Sequence, residues 1–579
     1  MVSRATWALL LCVLPCACSA GAIRRFPLRD PLWVDPDLQD VAVPCRPDPR
    51  KANATVCGPE PYESSFAWDA ADNLVFRPLS RFFAVDPAGE AVNVNSLDET
   101  PDSSWFTNRL GRRSMTEAEV EQGACGDDPG LEVDGPDGSW EIDQGKMNGA
   151  NPGFRIQWHG VRYMLKSDPR EQPERATGAT VIAGRLYHAA GWWVPCERIV
   201  YFRRSLLRLK AGLTVTDNSG VTRPFDDGAL DKLLENASRR GPLIRMVASK
   251  WLPGRALGPF TYAGVRDDDP SDVVLHEDRR DLRGARLIAA WLNHFDSREQ
   301  NSMTTWMSPE PKRQDMPLGH ALHWYMDLGD CFGSEWDWEE LSRRLGHAYY
   351  LDIPYLTEDF LTLGIQTRPW DRAERSRDGE IFGFFHSRDF EPQMWRGGYP
   401  NPAFARMSER DGAWAARILA RITPAHVQAA VRAGSYTNPQ HSSFLVRHLI
   451  ARQRALLERY LAKLSPITDW HLQGELLCGL DLSRKLALTN PSRYHYAVAF
   501  RAGEALSPLA PLADGVQADG TLCIPLPHRS LDARLPADAP ARYLLVDVFN
   551  GHAPGPSRVH LYDLGAAGFK LVGVERPEA

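Results

Sequence analysis

The chain has 579 residues, of which 43% are apolar and 24% charged, and a formal net charge of −7. That length exceeds what one core organises, so about two to four domains are expected; the composition excludes a mostly disordered chain, a collagen-like chain and a multi-span membrane protein. The negative balance, without any long basic run, argues against nucleic acid as a partner.

The first 20 residues read as an export signal. Arg4 supplies the positive charge, residues 7–14 a short apolar run, and residues 16–20 are small. The run is too short to span a bilayer and fits a secretory leader. Cleavage after Ala20 is expected. Lipid attachment at Cys18 is the alternative, and Pro15 and Cys16 fit it poorly. No later segment approaches the length of a membrane span, so the protein is expected to be exported (periplasmic, outer-envelope or secreted) without a transmembrane segment. Seven cysteines follow the leader. Export permits disulfides, and Cys45 with Cys57, close together in a turn-rich stretch, are the expected pair. No CxxC follows the leader, which argues against structural zinc.

Residues 21–134 are rich in Pro, Asp and Asn and read as an irregular extension wrapping a later domain. Within it, Trp105 and Phe106 stand among turn formers and are expected to dock on another surface. From about 135 the pattern becomes strand-like. Phe154, Ile156 and Trp158 alternate, His159-Gly160 can turn, and Val161, Tyr163 and Leu165 alternate again: a hairpin. Gly145 to Gly153 before it reads as a flexible glycine-bearing loop. Ala179, Ile182, Leu186 and Ala189 predict a helix over 176–190, stopped by Gly191. Strands are expected at 198–202 and 244–248.

After about 275 helices dominate. Leu282, Ala285, Ala289 and Leu292 place one over 279–293. Others are expected at 404–421, at 424–433 (Thr423 cap, Pro424 in the first turn, Gly434 stop) and at 442–464. From 468 to 579, short strands at 494–500, 522–526, 543–549, 558–562 and 569–574 predict a β-sandwich-like domain.

Three chemistry-bearing features follow in order. Lys166 ends the second hairpin strand; only ten of the 67 basic residues are lysine, so one inside an apolar strand draws attention. Asp296 follows the helix ending near 293, with Asn301 five residues on. Asp327 precedes Leu328-Gly329 after an expected strand at 323–326. The set suits phosphoryl transfer. A strand lysine under a glycine loop can neutralise phosphates, a loop aspartate can orient or deprotonate a hydroxyl, and Asn301 with Asp327 can hold Mg²⁺ against those phosphates. Plainer roles exist for each: Lys166 as a strand-edge charge, Asp296 as a cap, Asn301 as a turn residue, Asp327 in an Asx-turn.

The Asp-x4-Asn spacing and the Asp-Leu-Gly turn, after a strand lysine, resemble the protein-kinase-like superfamily, particularly its atypical HipA-type and secreted branches, and a group of exported bacterial proteins. The resemblance covers residues 135–465. It implies an α+β, bilobal kinase-like domain: a small mixed β N-lobe and linker at 135–274 and a helical C-lobe at 275–466, between the extension and the sandwich. It further implies ATP and Mg²⁺ as cofactors. Lys166 and Asp296 would be catalytic. Lys166, Gly149, Gly153 and Met246 would contact nucleotide, with 246–254 as inter-lobe linker. Asn301 and Asp327 would bind metal. The chain departs from the pattern in its glycine loop, in His294-Phe295-Asp296, and in lacking a helical glutamate for Lys166 other than Glu174. The function so implied is Mg-ATP-dependent phosphoryl transfer to a hydroxyl on protein, glycan or lipid. The alternative is a catalytically inactive kinase-like binding protein of the cell envelope. A hydrolase using Asp296 and Asp327 as acid and base leaves Lys166 without a role.

Weaker candidates are His276-Glu277 as metal ligands, read as a solvated loop, and His320 with His323, which should face opposite sides of a strand. Trp291 and Trp414 are expected in the core.

Overall fold

The computed structural model describes residues 24–578 except 50–52, 64–65, 84–88, 147–150, 217–220, 236, 311–312, 314, 336–338, 504, 513–515 and 528. The leader, with Cys18, and Gly149 therefore lie outside the described residues. The fold is mixed α+β, with several sheets around separate hydrophobic cores.

Labelled from residue 140 onward, the first sheet is built from β1 (Trp140–Lys146), β2 (Gly153–Trp158), β3 (Val161–Lys166), β4 (Glu197–Phe202), β5 (Leu207–Leu209), β6 (Arg239–Arg240) and β7 (Leu243–Lys250). Its order is β6-β7-β3-β2-β1-β5, with β4 also pairing β7; all pairs are antiparallel except β1 with β5. The hairpin turn sits at His159 and Gly160, both with positive φ (46° and 76°), the backbone twist that suits a two-residue connection. Phe154, Ile156, Tyr163 and Leu165 bury one face of the sheet, as their alternation requires. The expected glycine loop is shorter than its sequence suggests, because Gly145 is inside β1.

Helix α1 (Arg175–Ala190) connects β3 to β4 and ends on Gly191 at φ 126°. It is buried along nearly its whole length because the sheet lies on one side and a helical core on the other. Gly178 lets it approach that core: a Cβ there would meet the Tyr436 hydroxyl at 2.6 Å and its ring at 2.7 Å.

The second core gathers α2 (Arg280–Leu292), α3 (Glu409–Leu419), α4 (Pro424–Ala433) and α5 (Pro439–Tyr460). Leu282, Ala285, Ala289 and Leu292 are fully buried, as are Trp291 and Trp414. Thr423 caps α4 by accepting from His426 N–H. Ahead of this core lies a small sheet ordered Val41–Ala42, β10 (Leu318–Tyr325), β9 (Ser302–Met307), β8 (Arg255–Gly258). β9 and β10 pair antiparallel, from Ser302 opposite Tyr325 to Met307 opposite His320.

At the C-terminus, β11 (Ile467–Gln473), β12 (Leu476–Asp481) and β14 (Thr521–Pro525) form one antiparallel sheet. A second contains β13 (Ala497–Ala502), β15 (Tyr543–Phe549), β16 (Ser557–Asp563) and β17 (Phe569–Glu575). Leu477 and Ile524 from the first meet Val498, Val546 and Val559 from the second in one core. β11 escapes sequence reading for a physical reason. Asp469 sits at φ 56° where the register slips between Thr468 and His471, so Trp470 turns inward out of alternation.

The extension threads over every part. Phe26 packs on the C-terminal sheet, Val43 and Cys57 on the small sheet, and Trp105 and Phe106 in the helical core. Cys45–Cys57, Cys125–Cys196 and Cys478–Cys523 are disulfides, and Cys331 is a buried free thiol. Three disulfides are compatible with an exported protein. Among the described residues no helix is long and apolar enough to cross a membrane.

Candidate functional site

Lys166 ends a central strand. It faces Gly153 of β2 on one side and Val247 of β7 on the other. Gly153 is required for that pairing, since a Cβ would stand 2.0 Å from the Leu165 carbonyl oxygen. The Lys166 ammonium reaches across 161 residues to Asp327 Oδ1 at 2.7 Å.

Asp327 leaves β10 in the left-handed conformation (φ 54°) and opens a tight turn, Leu328–Asp330. The turn is fastened to α1. Leu328 is fully buried, Arg175 donates to the Gly329 and Cys331 carbonyls at 2.6 and 3.1 Å, and a Cβ on Gly329 would press on Thr180 and Asn151 at 3.2 Å.

Asp296 comes from the loop after α2, which stops on left-handed Asn293. His294 anchors that loop through Tyr187, 3.0 Å away, and burial holds its imidazole down at about 4. The Asn301 amide nitrogen donates to the Asp296 carbonyl at 2.7 Å and to Asp296 Oδ2 at 2.8 Å. The Asn301 carbonyl accepts from Met326 N–H at 3.0 Å. That bond joins the Asp296 loop to the end of the strand bearing Asp327, so the four residues named by spacing converge.

Three groups that spacing did not single out complete the site. Asp330 lies close enough to Asp296 for each carboxyl to act on the other. Both carboxyls are pushed up: Asp296 by burial and then Asp330, Asp330 by burial and then Asp327. Two carboxylates in contact favour a shared proton. Asp327 behaves oppositely: the neighbouring Lys166 ammonium holds its carboxyl below the usual range, against burial. Burial works against the Lys166 charge, but Asp327 outweighs it and raises the ammonium above its ordinary value. Glu197, at the start of β4, takes a bond from Ser249 Oγ on Oε1 at 2.7 Å, while its buried Oε2 has no hydrogen-bond partner. Burial lifts its carboxyl to about 7 against the pull of Ser249 and Lys166. Lys146 donates to the Asn151 carbonyl at 3.1 Å, and burial, then Lys166, lowers it to about 8.

Lys146, Lys166, Glu197 and Asp327 line a cleft of about 300 Å³ between the first sheet and the small sheet, at the lower end of the range of small-molecule sites, roughly 300–1,000 Å³. Met164, Pro195, Leu252, Met303 and Met326 give it apolar walls, and Lys146, Lys166 and Lys250 line it. Three of the chain's ten lysines thus face one cavity. An apolar slot ending in ammonium groups and a carboxylate fits a flat ring carrying an anionic tail.

Met246 is not part of that lining. It lies inside β7 opposite Val200, fully buried in the sheet core, because the strand continues to Lys250 and the connection is only residues 251–254. Gly153 acts through strand pairing. Glu174 turns away from Lys166 and accepts from Thr437 N–H at 2.7 Å. His276 is buried against Asp272 at 2.8 Å; His320 pairs with Asp40 while His323 stacks on Trp105 at 3.6 Å, on opposite sides of β10. Among the described residues no set of three His, Cys, Asp or Glu side chains converges as a metal site. Signals for the added groups were slight: Asp330 follows Asp327 at the spacing of one tight turn, and Glu197 is an acid at the head of an apolar strand.

No family model, no curated protein and no solved structure matches this chain.

Proposed function

We propose that the chain is an exported, bilobal, kinase-like phosphotransferase that uses Mg-ATP and a hydroxyl acceptor. The observation that carries this reading is convergence. Lys166, Asp296, Asn301 and Asp327 come from three separate elements and are linked by the Lys166–Asp327, Asn301–Asp296 and Met326–Asn301 hydrogen bonds, with Lys166 and Asp327 in the wall of one lysine-lined cleft.

The residues fit the nucleotide. Met164, Pro195, Met303 and Met326 offer apolar surface to a purine, and Lys146 and Lys166 offer charge to phosphates. Asp327 would hold the cation with Asn301, whose amide oxygen is the atom left to ligate once its nitrogen serves Asp296. Magnesium, when bound, supplies charge neutralisation between phosphates and needs few protein oxygens. Asp296 would accept the hydrogen bond of the acceptor hydroxyl and take its proton, with Asn301 fixing the carboxylate's orientation. Asp330 would hold the proton that the pair shares until a cation disperses the local negative charge. Glu197 would receive the Lys166 ammonium when Asp327 turns to the cation.

Thermal unfolding with and without Mg-ATP, beside Asp327→Ala, tests this. Ligand at 100 times Kd stabilises by about 2.7 kcal/mol. The expected result is a magnesium-dependent rise in Tm that is absent in the variant. A second reading, a catalytically inactive kinase-like binding protein of the cell envelope, is favoured by the ammonium of Lys166 lying directly on Asp327. No shift with ATP, GTP or ADP would decide for it.

A further inference from the structure

Residues 353–365 carry an apolar surface that none of the described residues covers. Helix Ile353–Leu361 has no buried residue. Ile353 and Leu356 are half exposed, and Phe360, Leu361, Leu363 and Ile365 are 74–85% exposed. Single exposed apolar residues are ordinary, but a contiguous set marks an interaction surface.

The charges of this segment lie elsewhere. Glu358 and Asp359 are its only ionised groups, and both turn back onto Arg368, Asp359 at 3.0 Å. The outward face is left uncharged.

The tip is also strained. Gly364 N–H donates to the Asp359 carbonyl at 2.9 Å and Leu363 N–H to the Phe360 carbonyl at 3.3 Å. These are the paired bonds of a helix stop whose left-handed position is usually glycine. Here that position is Leu363, at φ 50°, followed by Gly364 at φ 71°. A leucine in this conformation strains the backbone, and its side chain is 85% in water.

The foot of the helix joins the candidate site. Asp352 caps the helix and pairs with Arg396 at 2.7 Å. Tyr350 N–H donates to the Gly398 carbonyl at 2.8 Å, and Gly398 N–H to the carbonyl of Phe295, beside Asp296, at 2.6 Å.

We propose that this tip is a membrane-interface anchor that seats the exported protein on a lipid bilayer, with the loop bearing Asp296 on the side of that surface. A protein partner would present a polar rim and about one hydrogen bond per 100–200 Å², whereas this tip protrudes without a charged group. Hydrocarbon accepts such a protrusion without a matching pocket, and a short helix lying in the interface with its apolar side down is the corresponding arrangement. The uncharged face sets the lipid requirement: neutral headgroups suffice. The inference rests on the tip and stands whatever the cleft binds.

The test is flotation of the chain from Gly21 onward with neutral phosphatidylcholine vesicles at low and high salt. Two variants accompany it, Leu363→Gly and the double Phe360→Ser, Ile365→Ser. The wild type is expected to float at both salt levels. Leu363→Gly should lower partitioning about tenfold, the order expected for one apolar side chain, while its Tm stays equal or rises because glycine relieves the strain. Absence of wild-type flotation, flotation unchanged in both variants, or binding confined to anionic vesicles at low salt would each overturn the proposal. So would a concentration-dependent dimer, seen by sedimentation without lipid and abolished by the double variant, since a second copy would then be the occupant.

Discussion

Burial holds the Glu197 carboxyl at about 7 in the folded chain, against an ordinary value of 4.5. A carboxyl raised on folding contributes stability that is fully present below pH 4.5 and is lost as pH rises through 7. The glutamine variant keeps the oxygen that accepts from Ser249 and has no charge to bury. Glu197→Gln should therefore flatten the pH dependence of Tm between 4.5 and 7 and be more stable than wild type above pH 7, by an amount on the order of a few kcal/mol. Thermal unfolding of both proteins from pH 4 to 9 measures it, and parallel curves would refute the assignment. The same residue shows what sequence reading reaches. Lys166, Asp296, Asn301 and Asp327 were legible because each sits at a fixed offset from a strand, a helix end or a glycine. Glu197 was not, because its meaning depends on Ser249 and Lys166, which only the sheet brings beside it. Glu174 was near Lys166 in sequence, yet α1 begins there and Thr437 claims it.

At the scale of elements, helices with marked caps announce their ends, whereas the helix expected at 404–421 is Pro402–Ala405 and Glu409–Leu419 and the one expected at 442–464 is Pro439–Tyr460. Thr423, Pro424 and Gly434 mark α4 to the residue, and the apolar spacing of α2 errs by one residue at each end. Strands announce themselves only while they alternate. β3 does so, with Val161, Tyr163 and Leu165 on one face, and was placed correctly. β9 and β12 are buried on both faces for most of their length, so their burial follows no period of two. The β2–β3 contact behind Lys166 depends on an absent side chain. Gly153→Ala would put a methyl group 2.0 Å from the Leu165 carbonyl, with the Leu165 carbon and Lys166 Cα at 3.1 and 3.2 Å. Backbone on that side cannot rotate away, so the strands must separate. The expected cost is about 1–3 kcal/mol, together with a lower affinity of the cleft for its ligand as Lys166 moves. Chemical denaturation gives the first and a nucleotide titration the second; an alanine variant with wild-type stability would show that the pairing is looser than described.

The whole molecule turns on Asp98, a residue of the irregular extension. Its carboxylate takes Arg280 of α2 at 2.6 Å and Arg417 of α3 at 3.2 Å, both in the helical core, and is the ion-pair partner of Arg576 at the end of the C-terminal sheets. Arg576 itself donates to the Ser465 and Ile467 carbonyls at the junction between the two parts. Burial opposes the charge on Asp98, but the three guanidinium groups outweigh it and hold the carboxyl well below its usual range. One carboxylate thus pairs with three nearly inaccessible cations, while Asp411 also serves Arg280 and Glu99 also serves Arg417. Removing one partner of a buried ionic cluster costs about 3–5 kcal/mol; here Arg280 and Arg417 keep Asp411 and Glu99, and Arg576 loses its ion-pair partner. Asp98→Asn isolates that charge, because asparagine tolerates the positive φ of 60° found there. The variant should lose stability of that order. Its unfolding should also divide, since Arg576 would no longer be tied electrostatically to the helical core. Calorimetry is the decisive measurement: wild type is expected to melt in one transition and Asp98→Asn in two, the C-terminal sheets separately from the rest. A single transition at the wild-type temperature would mean that apolar packing of Phe26 and Trp105, rather than this carboxylate, makes the extension and the cores one cooperative unit.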